Sequence, residues 1–303
     1  MLRLIKLDLR LRISSRLFLL LCGGLLLTSL VISMEFRTGV YHLNPIPFSA
    51  AAVASMLSAV FGIGTDFADG TVRNKLVCGN TKLRFYLSQL IASLCIGLIF
   101  FLLAGVPYFL IGYNRFFSWS SREILVRAAV LLLAFVLFLT VIAVFISVFV
   151  KNRAAAVIVC IGAVMVLSFT GNRMSRSLLQ PEYCKIESSS ESGQVYERIV
   201  PNERYVSGSA RTVLYTAFKL NPYPCLSSAL GLVRFEGDID RTSLEAIERE
   251  CEQVEKSDQK YLWDPAFFRD TLIGSIRYPI WSGSFMLVLA AAGAVIFRKR
   301  NIN

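Results

Sequence analysis

The sequence predicts an all-α integral membrane protein of six transmembrane helices with both termini on the cytoplasmic side, and three observations predict it. The 303 residues are 55% hydrophobic, with a mean hydropathy of +0.57. The apolar residues come in blocks, six of which approach or exceed the roughly 20 residues needed to cross a bilayer core. The net charge of +11 is also distributed by side. One set of connecting segments holds 14 Lys and Arg against three acids, Asp8, Asp66 and Asp69, and that difference equals the whole net charge. The other side carries 18 basic and 18 acidic residues. Basic residues concentrate in cytoplasmic loops, which assigns both ends, the loop 66–84 and the turn 151–153 to the cytoplasm. Because the basic residues hug span ends, the high isoelectric point reads as a topology signal and argues against nucleic-acid binding.

A basic N-terminal segment, 1–16, precedes the first span, Leu17–Ser33. Residues 2–13 alternate apolar with charged, a pattern that favours a strand. Beside a span, however, such a basic stretch is expected to lie on the inner headgroup surface as an interfacial helix, with a flexible leader as the plain alternative. Ser33-Met34-Glu35 is a poor cleavage site, so the first block reads as a retained span rather than a signal peptide.

The second span, Ile46–Thr65, is rich in Ala and Ser, with Pro45 and Pro47 at its start. Ala51, Ser55 and Ala59 fall four apart, as do Ala54, Ser58 and Gly62. Two small faces suit close helix packing, or else a pathway lining or a dimer seam. The third and fourth spans, Phe85–Gly112 and Leu125–Val150, are long enough to tilt. Between them, the outer turn 113–124 carries Tyr113, Phe116, Phe117 and Trp119 as an interfacial aromatic belt. The fifth span is Ala154–Gly171. The sixth is Tyr278–Phe297, with a small-residue run over Ala290–Ala294. Thus 17–171 forms spans one to five, 172–277 a large extracellular insert, and 278–303 the last span with a basic cytoplasmic tail.

Within the insert, Thr242-Ser-Leu-Glu245 reads as a capping box. Leu244, Ile247, Cys251, Val254 and Tyr261 follow it as a helical stripe. Glu245–Arg249 and Glu252–Lys256 have the spacing of helical ion pairs. Glu187–Gln194 reads as a mobile loop, and Asn221–Cys225 as a turn or an interfacial re-entry. Of seven cysteines, Cys184, Cys225 and Cys251 fall in the insert, which allows at most one bridge among them.

The spans are read as free of ionisable side chains, which argues against a proton- or ion-driven carrier. His42 is the only histidine, which removes His-rich metal sites and Ser-His-Asp triads. The chain has no G-x-x-x-x-G-K-[ST] and therefore no P-loop ATP site. The expectation is of a protein that is not an enzyme and holds no cofactor itself.

The polar loop 66–84 carries the most information. Asp69-Gly70-Thr71 stops the incoming helix and offers N-caps for a new one. Thr71–Val77 makes about two helical turns. Val72, Leu76 and Val77 are its apolar contacts, and Arg73, Asn74 and Lys75 its polar ones. Gly79 suits a left-handed C′ position. Asn80 or Thr81 can then cap the helix that runs through Lys82, Arg84, Phe85 and Tyr86. A generic positive-inside loop is the alternative.

Residues 66–86 resemble the loop between the second and third spans of bacterial type-2 ABC transporter permeases. Such loops read acid-x-x-Asp-Gly-Thr-x-Arg-Asn-Lys-Leu-x-x-Gly-x-Ser/Thr-Arg-x-x-x-Tyr. The matching residues are Asp69, Gly70, Thr71, Arg73, Asn74, Lys75, Leu76, Gly79, Thr81 and Tyr86. Asp66 stands where Glu is usual, and Lys82 where Arg is usual, which keeps the charge but not a bidentate fork. The resemblance implies a permease subunit of an ATP-binding-cassette exporter in a bacterial plasma membrane. Two six-span subunits, identical or paralogous, would form the pathway within membrane lipid. Two separate P-loop subunits would bind ATP and Mg. The loop would be a coupling helix docked on one of them through Asp66, Asp69, Gly70, Thr71, Arg73, Asn74, Lys75, Leu76, Gly79 and Lys82. The insert matches no family motif and names no substrate. The alternative is a stand-alone membrane binding, immunity or sensing protein that uses the insert.

Overall fold

The computed structural model describes residues 1–35, 44–119, 122–150, 152–189, 195–233 and 244–299. Its long helices follow the apolar blocks: α2 (Arg16–Glu35), α3 (Ile46–Ala68), α5 (Lys82–Trp119), α6 (Arg122–Phe149), α7 (Arg153–Leu178) and α12 (Tyr278–Lys299). All six are long and apolar enough to cross a membrane, so the chain is an α-helical, multi-pass membrane protein. A short helix, α1 (Leu2–Ile13), precedes them, and another, α4 (Thr71–Val77), joins α3 to α5.

Burial sorts the helices into centre and periphery. The most apolar windows of α3 and α6 are 61% and 67% buried, whereas those of α7 and α12 are 17% buried. The outward side chains of α7 and α12, among them Ile158, Phe169, Ile280 and Leu287, suit lipid. The small residues of the second span explain its central place. Ala51 and Ala59 are wholly buried, and Ser55 Oγ lies 2.5 Å from Thr140 Oγ1 across α3 and α6. Gly97 of α5 covers this pair, and a Cβ there would meet Ser55 Oγ at 2.9 Å and Thr140 Oγ1 at 3.1 Å. The small faces therefore serve packing inside the bundle. Gly293 of α12 backs in the same way onto Tyr86 of α5.

The reading of charge-free spans needs correction. Arg127 lies in α6 itself and donates to Glu123 Oε1 at 2.9 Å and to the Ile273 carbonyl at 3.4 Å. A second charge, Arg12, is delivered into the bundle from outside the spans, by α1.

At the end of the bundle opposite α4, the insert contains one antiparallel hairpin, β1 (Tyr183–Ser189) and β2 (Val195–Pro201). This strand pair departs from the all-α expectation and takes up the first residues of the stretch read as a mobile loop. The rest of that stretch, 190–194, lies outside the described residues. Among the described residues the insert also holds four α-helices, α8 (Gly208–Leu220), α9 (Tyr223–Leu232), α10 (Leu244–Lys256) and α11 (Pro265–Leu272), and two short 3-10 helices, Asp258–Tyr261 and Gly274–Arg277. Thr242 also lies outside the described residues, but the stripe beyond it is buried at Ile247, Cys251 and Val254. Glu252 and Lys256 pair at 3.0 Å, whereas Arg249 bonds the Glu245 carbonyl instead of its carboxylate. Asn221 begins a turn into α9, which packs on α6. Phe218, Ala229, Leu232, Phe267 and Leu272 share one apolar core with Leu131 and Phe135 of α6. No disulfide joins the seven cysteines.

Candidate functional site

Four ionisable side chains from three helices converge where α1, α3, α4 and α5 meet. The local sequence fixes each one. The spacing Leu4, Asp8, Arg12 places one side chain per turn on a single face of α1, and all three are buried. Asp66 sits in the last turn of α3, two residues before it ends at Ala68. Gly70 then turns the chain with φ +66°, a left-handed conformation suited to glycine, and α4 begins at Thr71. Gly79, at φ +88°, makes the second turn, into α5. Thr81 Oγ1 accepts from the Arg84 amide at 3.2 Å, and Asn80 Nδ2 donates to the Lys75 carbonyl at 2.9 Å.

Lys75 is the hub. Its ammonium lies 2.8 Å from Asp8 Oδ1 and 2.8 Å from Asp66 Oδ2. Each carboxylate has further donors. Ser88 of α5 donates to Asp8 at 3.0 Å, Thr71 to Asp66 Oδ1 at 2.7 Å, and Gln89 to Asp66 Oδ2 at 2.8 Å. Arg12 extends the network along α5, donating to Ser93 Oγ at 2.7 Å and to Gln89 Oε1. Gly62 of α3 makes room for it, since a Cβ there would lie 2.5 Å from Arg12 Nε. Burial lowers the Arg12 pKa from its ordinary value, opposed by the Asp8 and Asp66 carboxylates. Two cations and two carboxylates leave the cluster neutral, which is how buried charge is tolerated. Beside it opens a cavity of about 470 Å³, lined among others by Leu11, Arg12, Ser58, Phe61 and Asp66.

This geometry divides the loop residues. Asp66, Thr71 and Lys75 face inward and hold the loop to α1, α3 and α5. Thr71 is therefore a fastener of Asp66, and the N-cap position belongs to Gly70. Leu76 is half-buried and packs against the same core as the buried Val72. Arg73, Asn74 and Val77 are exposed on the outward side of α4, Val77 at 79%, and so is Cys78 at its C-cap. Asp69 is exposed and 3.5 Å from Arg153, and Lys82 reaches the Arg298 carbonyl at 3.5 Å. Asp8, Arg12, Ser88, Gln89 and Ser93 were missed by sequence reasoning. The signal that could have found Asp8 and Arg12 is their single-face spacing with Leu4; Ser88, Gln89 and Ser93 are brought in only by the packing of α1 on α5.

A charged and hydrogen-bonded cluster of this kind ties α4 to the ends of α3 and α5 and to α1. Among the described residues, no group of three or more His, Cys, Asp or Glu is placed to hold a metal ion. No protein-family model, curated protein or solved structure matches the chain.

Proposed function

We propose that the chain is the permease subunit of an ATP-binding-cassette exporter, working beside a second permease copy or paralogue. In this reading a separate P-loop subunit binds ATP and Mg and docks on α4. The end of the bundle that carries α1, α4 and the last residues of α12 faces the cytoplasm of a bacterial cell. The supporting observation is the two-sidedness of α4. One side, through Lys75, is fixed to α1, α3 and α5, while the other presents Arg73, Asn74 and Val77 outward. A protein without an ATP site of its own needs such an element to receive force from a soluble partner, because only a rigid attachment carries a displacement into the helices it joins. The resemblance of residues 66–86 to type-2 permease loops points to the same partner.

The docking surface of this proposal is Arg73, Asn74 and the exposed turn residues Asp69 and Gly79, with Asp66, Thr71 and Lys75 as the attachment beneath. The test is co-purification of a P-loop ATPase with the tagged full chain, comparing wild type with Arg73→Glu. Arg73 is exposed, so the substitution leaves the internal network intact. Capture by wild type and loss with Arg73→Glu supports the reading. Equal capture by both moves the docking surface off α4. Absence of any ATPase overturns the transporter reading in favour of a stand-alone binding or sensing protein.

A further inference from the structure

The second face of α1 has no role in the network. At 3.6 residues per turn, Arg3, Lys6 and Arg10 fall within an arc of about 60°, opposite the buried arc of Leu4, Asp8 and Arg12. All three are exposed. On the flanks of this basic row, Leu2, Leu7, Leu11 and Ile13 are also exposed, Leu2 at 82%. The one acid of α1, Asp8, is buried and paired with Lys75, so nothing on the helix itself offsets the outward charge. A cationic row bordered by leucines, on a helix seated beside the first span, is complementary to lipid headgroups that carry net negative charge.

We infer that the outward face of α1 docks on the anionic phospholipid surface of the adjoining leaflet, and that Asp8–Lys75 carries this docking to α4. The first part rests on charge complementarity and on the exposed apolar flanks. The second rests on the ion pair, since α1 and α4 share that contact while α1 also packs along α5. Lipid charge thereby sets how firmly α4 is held. The inference requires only that the spans cross a membrane and stands whether or not an ATPase docks on α4.

The test is amide hydrogen exchange of the full chain in nanodiscs of neutral phosphatidylcholine, compared with nanodiscs containing phosphatidylglycerol. With the anionic lipid, exchange across Leu2–Ile13 is expected to slow about tenfold or more, and the slowing to fade with salt. Exchange across Thr71–Val77 should slow with it. The exposed-site variant Arg3→Gln/Lys6→Gln/Arg10→Gln should lose both effects while folding as wild type. Asp8→Asn should keep the first and lose the second. Equal exchange of α1 in the two lipids overturns the docking. An unchanged lipid response in the triple variant overturns the basic row as its cause. Slowing of α4 that survives Asp8→Asn overturns the ion pair as the link. Should Asp8→Asn not fold, the triple variant decides both parts: slowing of α4 that persists when the slowing of α1 is lost overturns the link.

Discussion

The ammonium of Lys75 stands 2.8 Å from Asp8, a residue 67 positions earlier whose side chain is 2% exposed. This pair, more than any helix-packing contact, joins the N-terminal helix to the loop between the second and third spans. Burying two charges costs several kcal/mol, which close pairing and added hydrogen bonds offset. Removing one partner is therefore worse than removing both.

Lys75→Met should lower stability by about 3–5 kcal/mol, because it leaves Asp8 and Asp66 facing each other without the shared cation. Adding Asp8→Asn should recover part of that loss. The thermal midpoint in detergent of the two single variants and the double variant measures the coupling. Additive losses would show that Lys75 and Asp8 act independently. Arg73→Ala, on the exposed side of α4, should change stability by less than about 0.5 kcal/mol.

Gly62→Ala should destabilise by about 1–3 kcal/mol, since the new Cβ would occupy the place of the Arg12 guanidinium. The same substitution at Gly283, where a Cβ meets nothing within 4 Å, should be close to neutral. Thermal melts of the two variants side by side distinguish a local clash from a general dislike of side chains at helix glycines.

Thiol labelling should separate the cysteines by position. Cys78 is exposed at the C-cap of α4 and should react first with a maleimide in the native protein. Cys225 is buried on α9, and burial pushes its thiol up to about 12, so it should react only after unfolding. Fast labelling of Cys225 in the native state would contradict the packing of α9 on α6. Under the proposed function, a docked ATPase would slow the labelling of Cys78.

The insert should weaken in alkali. Tyr215 donates to Asp270, and burial, then that hydrogen bond, raises its pKa above the usual 10. A phenol with a raised folded-state pKa contributes stability that is present below the unfolded value of about 10. That contribution is lost as pH rises from about 10 towards the folded value. A pH series of thermal melts should show the decline, and Tyr215→Phe should flatten it. An unchanged alkaline limb in Tyr215→Phe would exclude this phenol as its source.

The spans were legible because hydrophobic block length is a property of consecutive residues. So was the helix Thr71–Val77, bracketed by Gly70 and Gly79, whose positive φ values glycine accommodates. Lys75 shows where such reading stops. Its neighbours Arg73 and Asn74 point outward, yet Lys75 points inward, and only the arrival of Asp8 from another helix decides that. Alternation in residues 2–13 concealed the helical spacing of Leu4, Asp8 and Arg12, because leucine also fills the positions between. The hairpin was missed for a similar reason. Tyr183–Ser189 has only seven residues, and its pairing is set by register with Val195–Pro201 rather than by local pattern.

The shared core of insert and spans has a consequence for biogenesis. Leu232 sits on α9, which packs directly on α6, and Phe218 and Phe267 join the same apolar core rather than forming one of their own. During synthesis α6 is made before the insert, while α12, which also packs on α6, is made after it. The insert must then wait at the membrane surface until its landing site is in place, and the last span must close over both. An excised 172–277 fragment would carry that apolar face uncovered and should aggregate when expressed alone, so the hydrophilic insert of this protein is made foldable by the membrane portion it rests on.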